Sequence, residues 1–212
     1  MKKLTLISSA IAMVLSCSVA AKITPEQAAK LGNELTPLGA EKAANADGSI
    51  PAWTGGITSA PAGYTPGMHH PDPFKDDKVL VTIDKSNLEQ YQSLLTPGQV
   101  KLFDIYPDTF KMNVYQSRRT ASYPQYVYDA TKNIATKAEL IEGGNGIVNA
   151  AIGIPFPVPA NGLEAIWNHI VRFRGVAATR NGGQAAPTAT GDYTLIGFNE
   201  EIMFKYSDQK AT

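Results

Sequence analysis

Three histidines, one cysteine and a scatter of arginines are the residues with which this chain could do chemistry. His69 and His70 stand together with Asp72 close behind, the beginning of a metal site. No further ligands follow at a fixed spacing, so the cluster reads as a surface loop. His169 lies at the edge of an apolar helical stripe. A general base there would need a nucleophile or a carboxylate partner, and no Gly-x-Ser-x-Gly element is present. Gly143-Gly144-Asn145-Gly146 lacks the Lys-Ser/Thr of a phosphate loop and the spacing of a dinucleotide turn, and is read as a turn. No catalytic, cofactor-binding or metal-ligating residue is assigned. Arg174 is the cation that invites a role. Continued at 100° per residue it falls on the arc of Leu163 and Trp167, where it could hold an anionic headgroup, unless the helix has frayed by Arg172. Arg118, Arg119 and Arg180 are expected to be exposed charges.

The helix that would carry these groups is the clearest in the chain. Asn161 with Glu164 is a capping box, and Leu163, Ile166, Trp167, Ile170 and Val171 recur at i, i+3, i+4, i+7 and i+8. The apolar arc is expected to face the core, and the arc of Glu164, Asn168 and Arg172 to face solvent. Burial would then be worth about 1.5–3 kcal/mol per apolar side chain. Upstream, Thr24-Pro25-Glu26-Gln27 and Thr96-Pro97-Gly98-Gln99 open helices, and Ser86 with Glu89 is a further capping box. Tyr123, Val127, Ala130 and Ile134 form another stripe. Residues 36–77 are dense in Gly and Pro without periodicity, an extended wrap anchored by Trp53, Ile57 and Phe74. Ile154-Pro155-Phe156-Pro157-Val158-Pro159 is a connector, because alternate residues lack an N–H. Strands are expected near 79–83 and 111–120, and an antiparallel meander over 176–206 that leaves an open edge.

Residues 1–21 have a charged start, an apolar run from Leu4 to Leu15 and a small-residue exit, the pattern of a cleavable export signal. The run is too short to cross ~30 Å of hydrocarbon, which takes about 20 apolar residues, and no transmembrane segment is expected in the mature chain. A lipoprotein anchor at Cys17 is the weaker reading, since Leu15 sits poorly ahead of it. The expected domains are a signal over 1–21, a helix and wrap over 22–78, and an α+β domain over 79–212. The chain has 212 residues, 19 basic against 19 acidic. With 18% charged residues and no basic block it lacks the electrostatic footprint of a nucleic-acid binder.

Several segments are familiar as an ordered set: Leu35-Thr36-Pro37-Leu38-Gly39, Ile50-Pro51-Ala52-Trp53-Thr54-Gly55-Gly56, Leu95-Thr96-Pro97-Gly98-Gln99, Tyr106-Pro107-Asp108-Thr109, and Ile154-Pro155-Phe156-Pro157 followed by Asn161-Gly162-Leu163-Glu164-Ala165-Ile166-Trp167-Asn168-His169. With Gly143-Gly144-Asn145-Gly146 they resemble the exported proteobacterial family catalogued as domain of unknown function 1329, related to outer-membrane lipoprotein-sorting proteins. The resemblance implies a LolA-like α+β fold, a curved, incompletely closed antiparallel sheet packed on helices around an apolar hollow. Members are about twice as long, so it also implies that this chain corresponds to an N-terminal half with an incomplete C-terminal edge. It carries no catalytic residues.

The expected function is therefore that of a non-catalytic periplasmic protein, without cofactor, that binds or carries a lipid or other hydrophobic small molecule. Leu163, Ile166, Trp167, Ile170 and Arg174 would line its cavity. The alternative is an envelope assembly protein that pairs an outer-membrane or transporter partner to its open sheet edge.

Overall fold

A computed structural model describes residues 23–210. The export signal read over 1–21, with Cys17, lies outside the described residues. The chain forms two compact units, one of residues 29–129 and one of residues 130–210 with 23–28, and its first described helix is α1 (Pro25–Ala29). Both mix helices with small antiparallel sheets; each described sheet has two strands, and none is closed.

In the 29–129 unit, β1 (Val81–Ile83) pairs antiparallel with β2 (Met112–Val114), Val81 opposite Val114 and Ile83 opposite Met112. Alternation turns Val81 and Ile83 to one face, while the Thr82 hydroxyl donates to Asn113 Oδ1 at 2.8 Å on the other. Behind the apolar face lie α2 (Leu88–Tyr91) and α3 (Pro97–Ile105), and Ile83, Leu88 and Phe103 form the core. Phe103 is fully buried and meets Phe110 edge-on at 4.7 Å between ring centroids.

The start of α3 forms as its sequence requires: Gln99 N–H donates to Thr96 Oγ1 at 3.3 Å, and Gln99 Oε1 accepts from Thr96 N–H at 2.8 Å. The Ser86 box does not form. The Ser86 hydroxyl donates to Asp84, and Asn87 becomes the residue ahead of α2. An Asp two residues upstream offers a shorter route than the helix N-terminus. On the outer side of α3, Leu102 and Ile105, with Tyr106 after it, are exposed.

The wrap is tied down by hydrogen bonds instead of by regular structure. Trp53 N–H donates to Lys42 O at 2.9 Å, its indole N–H to Ala121 O at 2.9 Å, and Ile57 N–H to Thr120 O at 2.9 Å. Phe74 lies under the Arg118 guanidinium, 4.4 Å from its carbon to the ring centroid. Gly56, at φ 73°, lies so close to the carbonyls of Thr120 and Ala121 that a Cβ would overlap them.

The helix α4 (Gln125–Ile134) follows Pro124, and its stripe is buried at Val127, Thr131 and Ile134. In the second unit the Thr131 hydroxyl, fully buried, accepts from Ile154 N–H at 3.0 Å. The short hairpin of β3 (Glu139–Leu140) and β4 (Ile147–Val148) turns through Gly143 and Gly144, both with φ near 74°. The chain then enters the proline connector, where Pro155, Phe156 and Pro157 are buried.

Next comes α5 (Gly162–Ile170), and here the burial runs opposite to expectation. Glu164 is 7% exposed whereas Leu163 is 50%, Ile166 49% and Ile170 46%. The connector determines the facing. Asn168 accepts from Phe156 N–H at 2.9 Å and donates to Phe156 O at 2.7 Å, while Glu164 accepts from Ala160 N–H at 2.6 Å. Phe156 is buried and its backbone N–H and carbonyl need partners, which Asn168 on the polar arc of α5 supplies. The apolar arc consequently faces outward.

Two long strands, β5 (Ala177–Pro187) and β6 (Tyr193–Met203), complete the unit as one hairpin in continuous register from Ala177–Met203 to Pro187–Tyr193. The meander expected over 176–206 is two strands, because the alternating segments 192–198 and 201–206 are not separated by a turn: the chain runs straight through Asn199 and Glu200 as β6 and leaves the strand after Met203. Phe198 covers Gly182, and Arg180 pairs with Glu200 across the ladder.

Candidate functional site

The residues singled out from the sequence lie on or just beyond α5. Leu163, Ile166 and Ile170 share its exposed arc. Trp167 is half-buried, and its indole N–H donates to Gly144 O at 2.9 Å, seating the helix on the glycine turn. Leu163 also packs on Gly144, where a Cβ would strike its side chain. Arg174 follows the helix end and stacks on Phe204 at 4.4 Å, with Nη2 donating to Tyr206 Oη at 3.3 Å. The structure therefore gathers four of the five on one helix and sets Arg174 against an aromatic pair.

His70 stacks on Tyr64 at 5.2 Å, and His169 is exposed beside Arg172, which donates to its carbonyl at 2.7 Å. Among the described residues no group of three His, Cys, Asp or Glu side chains is gathered. No described helix is long and apolar enough to cross a membrane.

A concavity of about 390 Å³ opens instead in the 29–129 unit, within the size range of small-molecule sites. Its walls come from three stretches far apart in sequence: Leu38 from the turn after Thr36, Trp53 from the wrap, and the segment Arg118–Tyr128. Trp53 is fixed by the two hydrogen bonds given above. Tyr128, on α4, is fixed by accepting from Tyr123 N–H at 2.8 Å, and the two rings meet edge-on at 6.4 Å. Aromatic faces with few polar atoms suit an apolar guest.

Two guanidiniums sit at this site. Arg118 Nε donates to Asp77 Oδ2 at 2.9 Å and its Nη2 to Oδ1, a fork-to-fork pair that holds the Asp77 carboxyl below the usual carboxylate range. Arg119 is half-buried, contrary to the expectation of a simple exposed charge. It donates from Nη2 to Glu41 O at 2.6 Å and from Nη1 to Lys42 O and Ala43 O, both at 3.4 Å.

Sequence reasoning had no access to this site as a whole. Trp53 was legible as an anchor and Tyr123 as part of a stripe, but nothing in local periodicity brings residues near 38, 53 and 119 together. The one available signal was an Arg-Arg pair running into the aromatic Tyr123-Pro-Gln-Tyr-Val-Tyr128 segment.

No solved structure matches the chain. An uncharacterized protein of Pseudomonas aeruginosa, PA3922, is 46% identical over 192 residues, which are 91% of this chain and 42% of that protein. The chain thus spans less than half the length of that relative. The family described as protein of unknown function DUF1329 matches residues 82–212, covering the α2–α3 core, α4, α5 and the β5–β6 hairpin. The chain belongs to that family.

Proposed function

We propose that this is an exported, non-catalytic protein that binds a hydrophobic small molecule or lipid in the periplasm. The observation that carries the reading is the concavity of about 390 Å³ walled by Leu38, Trp53, Tyr123 and Tyr128. A methylene moved from water into such a site contributes about 0.8 kcal/mol, so an acyl chain or ring system has enough surface to be held without covalent chemistry. Export is supported by the signal pattern in residues 1–21. The finer fold reading is LolA-like, a curved and incompletely closed sheet over helices, of which β5 and β6 would be two strands. The exposed arc of α5 is a second apolar surface that such a sheet would cover.

The test uses delipidated full chain titrated with a neutral apolar dye, N-phenyl-1-naphthylamine, and examined by native mass spectrometry with lipid extract. Saturable binding of one dye per chain, weakened about tenfold by Trp53→Ala and unchanged by Ile166→Ala, is expected. Absence of saturable binding would overturn the reading.

The hairpin favours a second reading, an assembly role in which an outer-membrane or transporter partner adds a strand. Its eleven-residue strands pair only with each other among the described residues, and Tyr193, Leu195, Ile196 and Met203 are exposed. An isolated two-stranded hairpin is marginal in water and gains from a third strand. Co-purification of an envelope protein, lost when Leu195 and Ile196 are replaced by Lys, would support it.

A further inference from the structure

We infer that the concavity of the 29–129 unit selects an anionic amphiphile, with Arg119 holding its carboxylate or phosphate head and Trp53, Leu38, Tyr123 and Tyr128 covering its apolar body. The inference rests on the hydrophobe-binding reading above and deepens it. The walls carry two guanidiniums and no carboxylate. These two cations are in different states. Arg118 is neutralised by both oxygens of Asp77 and is stacked on Phe74. Among the described residues Arg119 donates only to the carbonyls of Glu41, Lys42 and Ala43. Those carbonyls fix the direction of the guanidinium but bring no net charge, and among the described residues no carboxylate pairs with it.

A guanidinium has five N–H donors, and three of those on Arg119 are spent. Nε and the second hydrogen of Nη2 have no partner among the described residues. Nε–H together with an Nη2 hydrogen is the pair of donors with which a guanidinium takes two oxygens of a carboxylate or phosphate side by side. A half-buried cation at an apolar wall makes the ligand's charge matter. A neutral guest would strip water from Arg119 without replacing it, a cationic guest would add repulsion, and an anionic one would restore the lost interaction. Dependence on the head alone is the signature of this arrangement.

The experiment is calorimetric titration of the full chain, at low salt and below micelle formation, with four ligands of one chain length: dodecanoate, dodecyl phosphate, dodecanol and dodecyltrimethylammonium. Both anions are expected to bind at least tenfold tighter than the alcohol, the cation weakest, with the gap narrowing as salt rises. The better of the two anions separates a fatty-acid source from a phospholipid-like one. Arg119→Gln, shown folded by its thermal transition, should bring the anions down to the alcohol, whereas Arg119→Lys should keep part of the preference. If Arg119→Gln does not fold, the order of the four heads on the natural chain decides. Equal binding of alcohol and anions, or a folded Arg119→Gln that still discriminates, would overturn the inference while leaving hydrophobe binding intact. Failure of all four ligands to bind would remove both.

Discussion

Asp77 shows what one ion pair does for the unit that holds the concavity. Its carboxyl lies below the usual range because Arg118 donates to both oxygens. Folding therefore favours the ionised form, and the contribution is complete above the unfolded value, ~3.9 for Asp, and is lost as pH falls through the depressed folded value. Asp77→Asn should lower the urea midpoint by a constant amount from pH 7 down to about 5, and the difference from the natural chain should shrink below about pH 4. A difference that grows on acidification would contradict this. The pair was not legible in the sequence, since Asp77 sits among the Gly and Pro of the wrap and Arg118 at the end of a strand pattern. Trp53 was legible as an anchor because a Trp in a Gly/Pro tract seldom stays in water, but its indole partner, Ala121 O, was not.

At the level of elements, local grammar succeeded where the partner lies within a helical turn and failed where it lies across the fold. Thr96 and Gln99 close their capping box, and Thr96→Ala should cost about 1 kcal/mol in denaturant unfolding. Ser86 obeys the same motif but donates to Asp84, so Ser86→Ala should fall within about 0.5 kcal/mol of the natural chain. On α5, periodicity found the helix and its Asn161 cap correctly. It assigned the faces by hydrophobicity alone, whereas the buried backbone of Phe156 needed the polar arc. Asn168→Ala leaves an N–H and a carbonyl in the connector unpaired and should cost about 1–3 kcal/mol. Leu163→Ala, at a half-exposed position, should cost less than Asn168→Ala in the same denaturation series. The reverse order would restore the apolar arc as core.

The whole molecule is two units with small open two-stranded sheets, and its exposed large apolar residues include those of α5, α3 and the β5–β6 hairpin. Mixed α and β content, the helices and most turns could be read from pattern. The pairing of strands into separate two-stranded sheets could not, because alternation marks a strand without naming its neighbour. The concavity is of the same kind, assembled from segments whose sequences say nothing of one another. Two tryptophans allow the central claim to be tested in one spectrum, since Trp53 lines the concavity and Trp167 lies on α5 in the other unit. Uniformly nitrogen-15-labelled, delipidated protein should be titrated with dodecanol while the two indole N–H resonances are followed. Hydrophobe binding at the concavity predicts a saturable shift of the Trp53 resonance with Trp167 unmoved. A shift confined to Trp167, or none at either ring, would contradict it.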